Sequence, residues 1–303
     1  MRRPAGSDAV IQVAPEIADA LRRRAPVVAL ETTLVAHGFP AGEGVAVGIE
    51  SAQRVRAAGA VPATVGVLDG ALRVGLSDSE LERFTGEAHK VGPRDLAAAV
   101  VQRAVGATTV GGTLAACRAA GIGFLGTGGI GGVHRGERLD ISADLGELAR
   151  TEALVVSSGV KSLLDVPATM ELLESLSIPV VGFRTDELPL FYTARGGPPV
   201  PSRVESAEEA ADLARTHWGL KRHSALLLAQ PPPNPLDGVE PLIAAALAAA
   251  DEAGVRGPDV TPFVLSLLHE RSGGETLRVN RELVVANAGL AAEVAVAYAQ
   301  GPA

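Results

Sequence analysis

The sequence predicts an α/β protein in which helices cover both faces of a mixed, largely parallel sheet. Short apolar runs alternate with helical patterns along most of the chain, and this order is typical of the class. Hydrophobic residues make up 47% of the sequence, but aromatic residues make up only 3%. The core must therefore consist mainly of aliphatic side chains packed between layers, and 303 residues are enough to bury one.

Six short apolar runs predict the strands, and polar or glycine-rich turns follow most of them. They are Pro26–Leu30, Thr64–Leu68, Ile122–Leu125, Ala153–Ser157, Ile178–Phe183 and Ser224–Ala229. Between the second run and the stretch Ala71–Leu76 lies Asp69-Gly70, which accepts the positive φ angles of a tight hairpin turn. One antiparallel ribbon is therefore expected within the sheet.

Serine and glutamate pairs mark the starts of two helices. Ser77 and Glu80 have the spacing of a capping box, in which the two side chains satisfy free backbone donors at the helix start. Ser206 and Glu209 repeat that spacing. A helical C-terminal segment is predicted from about Asp259.

No linker or internal repeat divides the chain. The proline-rich stretches at 198–201 and 231–235 are short, and more helix-like sequence follows each of them. Residues 1–303 are therefore predicted to form a single domain, with residues 1–11 flexible.

Charge and hydropathy exclude several classes of partner. A net charge of −8 argues against nucleic acid, and the main basic run, at 22–24, is expected only to end an early helix. No segment has the roughly 18 apolar residues of a membrane span, and the N-terminus does not read as a secretory signal. Cys117, the single cysteine, is interpreted as a buried small residue. A cytoplasmic protein is expected.

Two charged residues follow predicted strands, where α/β proteins bind their ligands. Glu31 comes directly after an apolar run, so partial burial would raise the pKa of its carboxyl group. Lys161 follows the strand Ala153–Ser157 where a helix is predicted to begin, and the helix dipole would favour its neutral, nucleophilic amine. The structural alternatives are a capping or salt-bridged glutamate and a solvated lysine.

The stretch Gly126–Gly131 has the spacing G-x-G-x-x-G of a dinucleotide-binding loop. That reading requires a helix directly after the loop, whereas the sequence continues with Gly132-Val133-His134-Arg135-Gly136. An irregular loop whose amides bind one phosphate, with His134 and Arg135 nearby, is the preferred interpretation. A tight loop with a surface His-Arg pair is the structural alternative.

Asp140 and Asp144 lie four residues apart, which places both on one helical face or leaves one as an N-cap. No cluster of His and Cys suits zinc. A hard divalent cation held by one carboxylate and several water molecules is a further interpretation of this pair.

Taken together, nine stretches of the chain closely resemble the pseudouridine-5′-phosphate glycosidase family. They are ALETTLVAHGFP at 29–40, VPATVGVLDGALRVGL at 61–76, HKVGPRDL at 89–96, VGATTVGGTLA at 105–115, GTGGIGGVHRG at 126–136, LDISADLGELART at 139–151, SSGVKSLLDVPAT at 157–169, GFRTDELPLFY at 182–192 and DVTPFVL at 259–265. The resemblance runs in order along nearly the whole chain and leaves out only the first ten or so residues.

The resemblance implies specific roles for the candidate residues. Lys161 would bond covalently to the sugar, Glu31 would be the proton donor, and Asp140 would bind a manganese ion coordinated mostly by water. The implied substrate contacts are Lys90, Val110, Ser142, Ala143, Asp144, His134 and Asn287. The implied fold is an α/β/α sandwich that assembles as a homotrimer and has no organic cofactor.

The chain departs from the family pattern at three places. Gly92-Pro93 stands where many relatives have a Ser-Arg pair, and the loop 135–139 is shorter. Asn287 is a single asparagine where relatives often have two. A change in the phosphate contacts is expected from the first two departures.

The implied activity is the reversible cleavage of pseudouridine 5′-phosphate to uracil and ribose 5-phosphate. Its carbon–carbon glycosidic bond offers no heteroatom leaving group, so an iminium formed with Lys161 at C1′ of the opened sugar would act as the electron sink. The alternatives are a Schiff-base lyase for another sugar phosphate, a dinucleotide-dependent oxidoreductase and a non-catalytic phosphosugar sensor.

Overall fold

Strands and helices alternate along the chain, as the apolar pattern predicts. The computed structural model describes residues 9–40, 42–135, 140–255 and 260–301. The strands are β1 Ile11–Val13, β2 Val27–Leu30, β3 Val61–Leu68, β4 Ala71–Val74, β5 His89–Val91, β6 Gly106–Thr108, β7 Phe124–Gly126, β8 Val133–His134, β9 Leu154–Ser157, β10 Leu164–Asp165, β11 Val180–Phe183, β12 Ser202–Val204 and β13 Leu226–Ala229. The helices are α1 Pro15–Arg22, α2 Thr33–His37, α3 Glu43–Ala57, α4 Asp78–Leu81, α5 Leu96–Val101, α6 Val110–Ala120, α7 Ala143–Leu148, α8 Val166–Ser175, α9 Ala207–Gly219, α10 Glu240–Glu252, α11 Val260–Arg271 and α12 Glu275–Gln300.

Eleven of the described strands form one mixed sheet. Its main path is β1-β4-β3-β2-β7-β9-β13-β11-β12, with β6 paired to β3 and β5 paired to β6. The pairs β3–β4 and β3–β6 are antiparallel, while the remaining pairs of this sheet are parallel. The expected hairpin is the β3–β4 pair, and its turn residues Asp69 and Gly70 have φ angles of 53° and 81°.

Apolar layers cover both faces of the sheet. Successive side chains of a strand point to opposite faces, so Val27 and Ala29 of β2 pack in one cluster and Val28 and Leu30 in the other. Helices α6, α8 and α10 contribute to the first cluster, α9 contributes to the second, and α3 contributes to both. The predicted α/β/α arrangement is therefore confirmed.

Helix α12 belongs to both layers. Its N-terminal half packs in the first cluster and its C-terminal half in the second. Gly126, at the end of β7, touches its backbone, because a Cβ atom there would come within 2.8 Å of Ala288 Cα. In the described part of the chain α12 alone is long and apolar enough to cross a membrane, but most of that apolar stretch is buried inside the fold. We interpret α12 as a core helix.

The strand order reverses between β2 and β7. The chain passes from β2 to β3 on one side and returns later to β7 on the other side. β2, β7 and β9 are parallel neighbours, so their carboxyl ends meet at one edge of the sheet. This is the position at which open α/β sheets bind ligands.

Several local predictions are confirmed. Helix α1 ends at Arg22, inside the basic run, and the C-terminal segment is helical from Val260. Ser77 and Glu80 form the complete capping box. Cys117 is fully buried, and this burial raises the pKa of its thiol to about 12.

Three local predictions differ from the structure. Glu209 does not close the second capping box, since its carboxylate accepts a hydrogen bond of 2.7 Å from the Glu205 amide instead. Ile11, assigned to a flexible end, begins β1, while residues 1–8 lie outside the described part of the chain. No helix begins at Lys161, because the next helix, α8, begins at Val166.

Candidate active site

A small cavity lies where β2 and β7 end. Its volume is about 50 Å³, well below the several hundred Å³ of a typical small-molecule site. Residues from both sides of the sheet edge line it, together with helices α2, α11 and α12. They are Glu31, Thr33, Leu34, His37, Gly38, Lys90, Thr127, Gly128, Gly129, Lys161, Phe191, Thr261, Pro262, Leu265, Asn280 and Val284. Glu31, Lys90 and Lys161, three of the predicted site residues, therefore share one cavity.

Glu31 directly follows β2, and only 4% of its surface is exposed. Burial raises the pKa of its carboxyl group to about 7, although the Lys161 ammonium and a hydrogen bond from the Thr127 hydroxyl lower it. The negative charge of Asp144 adds to the rise, and the positive charge of Lys90 opposes it. Near neutral pH, Glu31 is thus present in both protonated and ionised forms and can give or take a proton.

Lys161 lies in the turn after β9. Its backbone amide donates to the Ile130 carbonyl at 3.2 Å, and the Ile130 amide donates to the Gly159 carbonyl at 3.1 Å. These bonds fix the turn against the glycine-rich loop after β7. Since no helix starts here, the predicted helix dipole does not act on this amine, and its charged neighbours in the cavity are Glu31 and Lys90.

Lys90 reaches the cavity from β5, the outer strand beside β6. Its charge lowers the pKa values of both Glu31 and His37. Arg94, after the unusual Gly92-Pro93 pair, is 90% exposed and pairs with a neighbouring carboxylate. It does not line the cavity, so Lys90 is the basic side chain that this segment supplies.

The glycine-rich loop after β7 binds a carboxylate of the chain itself. Asp144 is 4% exposed, and its Oδ1 and Oδ2 accept hydrogen bonds from the amides of Gly111 at 2.7 Å and Gly131 at 2.9 Å. Ser142 is the N-cap of α7 and accepts from the Asp144 amide, while its own amide donates to Gly132. The segment 142–144 therefore holds the loop in place.

The loop does not open a helix. After Gly131 the chain enters β8, and in the described residues the next helix is α7, beginning at Ala143. This geometry removes the basis of the dinucleotide-binding alternative. The Arg135 guanidinium donates to the carbonyls of Ser162 at 2.9 Å and Leu164 at 3.1 Å, so it braces the turn that follows Lys161.

Seven of the predicted site residues lie outside the lining of the cavity: Val110, Ser142, Ala143, Asp144, His134, Asp140 and Asn287. The first six lie behind the glycine-rich loop or near β8, and Asn287 lies in α12. The backbone amide of His134 donates to the Asp140 carbonyl at 2.9 Å, and its ring Nδ1 is 3.7 Å from the Asp140 carboxylate. Residues 136–139, which contain most of the shortened loop, are outside the described part of the chain.

The Asp140 carboxylate is the candidate metal ligand. Its side chain is 35% exposed, so it can bind an ion that keeps several water molecules. The described residues contain no group of three or more His, Cys, Asp or Glu side chains able to hold a metal. The donor set therefore fits a hard, mostly hydrated cation and does not fit tetrahedral zinc.

Asn287 is fully buried in α12 and ties together two strand ends. Its Nδ2 donates to the Thr127 carbonyl at 2.8 Å and to the Ser158 hydroxyl at 3.1 Å. Its Oδ1 is buried and has no hydrogen-bond partner among the described residues. Asn287 thus positions the segments that carry Thr127 and Lys161.

Thr127 and His37 line the cavity but are not among the site residues predicted from sequence. Thr127 lies inside the glycine-rich stretch, two residues after the predicted strand Ile122–Leu125 and directly after β7, and a polar residue at a strand end is the signal that identified Glu31. His37 lies in the stretch 29–40 that resembles the family, three residues before Pro40, its last residue. Both residues face the cavity only because α2 and the β7 loop fold toward Glu31.

Comparison with known proteins supports a common family. The family model described as Indigoidine synthase A like protein matches residues 16–297. Pseudouridine-5′-phosphate glycosidase from Myxococcus xanthus (strain DK1622) is 45% identical over 299 residues, covering 96% of this chain and 99% of that protein. The protein of the same name from Staphylococcus aureus (strain MW2) is 41% identical over 295 residues, covering 95% and 96%.

Two solved structures share the fold. The prealnumycin C-glycosynthase AlnA in complex with ribulose 5-phosphate has a TM-score of 0.86 and 40% identity, covering 97% of this chain and 98% of that chain. An indigoidine synthase A-like protein from Thermotoga maritima has a TM-score of 0.87 and 38% identity, covering 98% and 99%. The class is that of the Indigoidine synthase A-like α/β/α sandwich proteins. Within it, the chain belongs to the pseudouridine-5′-phosphate glycosidase family, as its motifs predict.

Proposed function

We propose that this protein reversibly cleaves the carbon–carbon glycosidic bond of pseudouridine 5′-phosphate, giving uracil and ribose 5-phosphate. The observation that carries the proposal is the cavity at the sheet edge, which contains Lys161 and a buried Glu31 whose pKa is about 7. The names of the relatives support the same reaction.

The lysine supplies the covalent step. The Lys161 amine forms a bond to C1′ as the C1′–O4′ bond breaks, and a proton on O4′ completes the ring-opened amine adduct. Protonation of uracil C5 then lets the C1′–C5 bond break: its electron pair goes to the base, and the nitrogen lone pair forms the iminium between Nζ and C1′. Water hydrolyses the remaining Schiff base, releases ribose 5-phosphate and restores the free amine.

Glu31 is the proton partner in this scheme. Its protonated form donates to the ring oxygen or to C5, and general acid catalysis of this kind contributes a factor of about 10² to 10⁴. The Thr127 hydroxyl orients the carboxyl group through its hydrogen bond. Lys90 is proposed to contact the substrate from the opposite side of the sheet edge. Val110, Ser142, Ala143, Asp144, His134 and Asn287 are proposed to shape the remaining contacts.

Asp140 would hold a Mn²⁺ ion, which when bound supplies positive charge and ordered water close to the site. Chelation is expected to abolish activity and added Mn²⁺ to restore it, whereas Asp140→Ala should require more Mn²⁺ for half-maximal recovery. Activity that survives complete chelation would exclude the metal.

We also propose a domain organisation, an oligomeric state and a cellular location for the protein. We expect residues 1–303 to form one domain, and homotrimers to form in the cytoplasm. The resemblance to the family supports the trimer, and light scattering coupled to size-exclusion chromatography tests it.

Borohydride reduction tests the mechanism directly. With ribose 5-phosphate present, reduction should attach the sugar phosphate to Lys161, which peptide mass mapping detects. Lys161→Ala should give no adduct, whereas Lys221→Ala, which removes a lysine that does not line the cavity, should react like the wild type. An adduct at another lysine, or none, would exclude the proposed nucleophile.

A second candidate is a Schiff-base enzyme that acts on another sugar phosphate. This protein shares its fold with a C-glycosynthase solved in complex with ribulose 5-phosphate, and this likeness favours a different sugar phosphate as the alternative substrate. Release of uracil, followed by ultraviolet absorbance, separates the two. Borohydride trapping without uracil turnover would favour the second candidate.

A further inference from the structure

His37 is a half-buried titratable residue that the proposed reaction leaves unused. It is the last residue of α2, the helix that begins two residues after Glu31. Its side chain lines the cavity together with Glu31, Lys90 and Lys161. Its Nε2 atom is buried and has no hydrogen-bond partner among the described residues. Because a buried polar atom without a partner is costly, this atom is a candidate contact for a ligand.

The imidazole of His37 is neutral at physiological pH. Burial is the main cause that lowers its pKa, and the Lys90 charge lowers it further, while the Ala88 carbonyl acts in the opposite direction. A neutral imidazole has one donor nitrogen and one acceptor nitrogen. The Ala88 carbonyl accepts from the ring, and Nε2 has no such partner. The donor is therefore Nδ1, and Nε2 presents a lone pair.

Nε2 of His37 is the one buried side-chain N or O atom of the cavity lining that has no hydrogen-bond partner among the described residues. Lys90 and Lys161 are donors, and the Thr127 hydroxyl already donates to Glu31. In the proposed substrate the phosphate carries acceptor oxygens, whereas the sugar hydroxyls and the N–H groups of the base are donors. A uracil linked through C5 keeps both ring N–H groups, whereas a uracil linked through N1 keeps only one.

We propose that Nε2 of His37 accepts a hydrogen bond from a ring N–H of the base, so that His37 selects the base and not the sugar phosphate. This inference rests on the proposed function, because the base is defined by that reaction. It assigns His37 to specificity and leaves the covalent chemistry to Lys161.

The test measures both substrates of the synthetic direction. His37→Ala should raise the KM for uracil about tenfold, since one hydrogen bond inside a protein contributes about one factor of ten. The KM for ribose 5-phosphate and the borohydride adduct at Lys161 should stay unchanged. His37→Gln places an amide oxygen near the position of Nε2 and should recover most of the uracil affinity.

Methylated bases identify the contacted group. N1-methyluracil lacks one ring N–H group and N3-methyluracil lacks the other. The wild-type protein should bind the analogue that lacks the contacted N–H about tenfold more weakly than it binds uracil. In His37→Ala that preference should disappear. Equal preference in both proteins, or loss of the ribose 5-phosphate adduct in the variant, would overturn the role of His37. Failure of the wild-type protein to turn over uracil would instead overturn the proposed function itself.

Discussion

Thr127→Val tests whether the protonation of Glu31 limits catalysis. The Thr127 side chain is fully buried, and its hydroxyl donates to Oε1 of Glu31. Valine has nearly the same shape but no hydroxyl, so the substitution removes the hydrogen bond without opening a cavity. Because this bond stabilises the ionised carboxylate, its loss raises the pKa of Glu31.

The size of the shift follows from the hydrogen bond. A bond to a charged group contributes about 1.5–3 kcal/mol, and one pKa unit corresponds to about 1.4 kcal/mol. The pKa of Glu31, about 7 in the wild type, should therefore rise by about one to two units. As the protonated form is the proton donor, activity should persist to higher pH by the same amount.

The assay is the pH dependence of kcat/KM for uracil release. Its alkaline limb should move upward in Thr127→Val, while Thr127→Ser, which keeps the hydroxyl, should retain the wild-type limb. An unmoved limb in the valine variant, or an equal shift in both variants, would refute the assignment of Glu31 as the acid.

Two further variants test the electrostatics of the site. Glu31→Gln should raise the free energy of unfolding by up to about 3 kcal/mol above pH 7 and change it little below pH 4.5. Between pH 4.5 and about 7, Glu31 keeps its proton in the folded wild type but has lost it in the unfolded chain. The free energy of unfolding of the wild type therefore falls as pH rises through this window. Urea unfolding of both proteins at pH values below and above the window checks this. Asp144→Asn should lower the free energy of unfolding by about 1–3 kcal/mol, because its NH₂ group would face the amide of Gly111 or Gly131. It should also move the alkaline limb of kcat/KM to lower pH, since the Asp144 charge raises the pKa of Glu31, and a limb that moves upward would contradict this account.

The central strands could be predicted from sequence because their signal is local. β2 and β9 are continuous apolar runs, and the β3–β4 turn has its own Asp-Gly signal. Strands such as β8 and β10 have two residues each. Pairing with each other defines them, so no periodicity within either strand could reveal them.

The wrong helix start at Lys161 has a local cause. Asp165 caps α8 by accepting a hydrogen bond of 3.0 Å from the Ala168 amide, and Pro167 occupies the first turn. An aspartate followed two residues later by a proline is a helix-start signal. The start of α8 could therefore be predicted from sequence, five residues after Lys161. The candidate site is different, because the Thr127–Glu31 and Asp144–Gly131 contacts join residues far apart in sequence. Only the resemblance to the family linked those segments before the fold was known.

The position of Asn287 in α12 has a consequence for biosynthesis. The carbonyl of Thr127 and the hydroxyl of Ser158 obtain their shared donor from a helix that ends at Gln300. On the ribosome, a nascent chain can therefore hold all the proposed reacting groups and still lack the helix that fixes them. Activity should appear only after α12 has left the exit tunnel and inserted between its partners, so nascent chains that lack this helix should release no uracil.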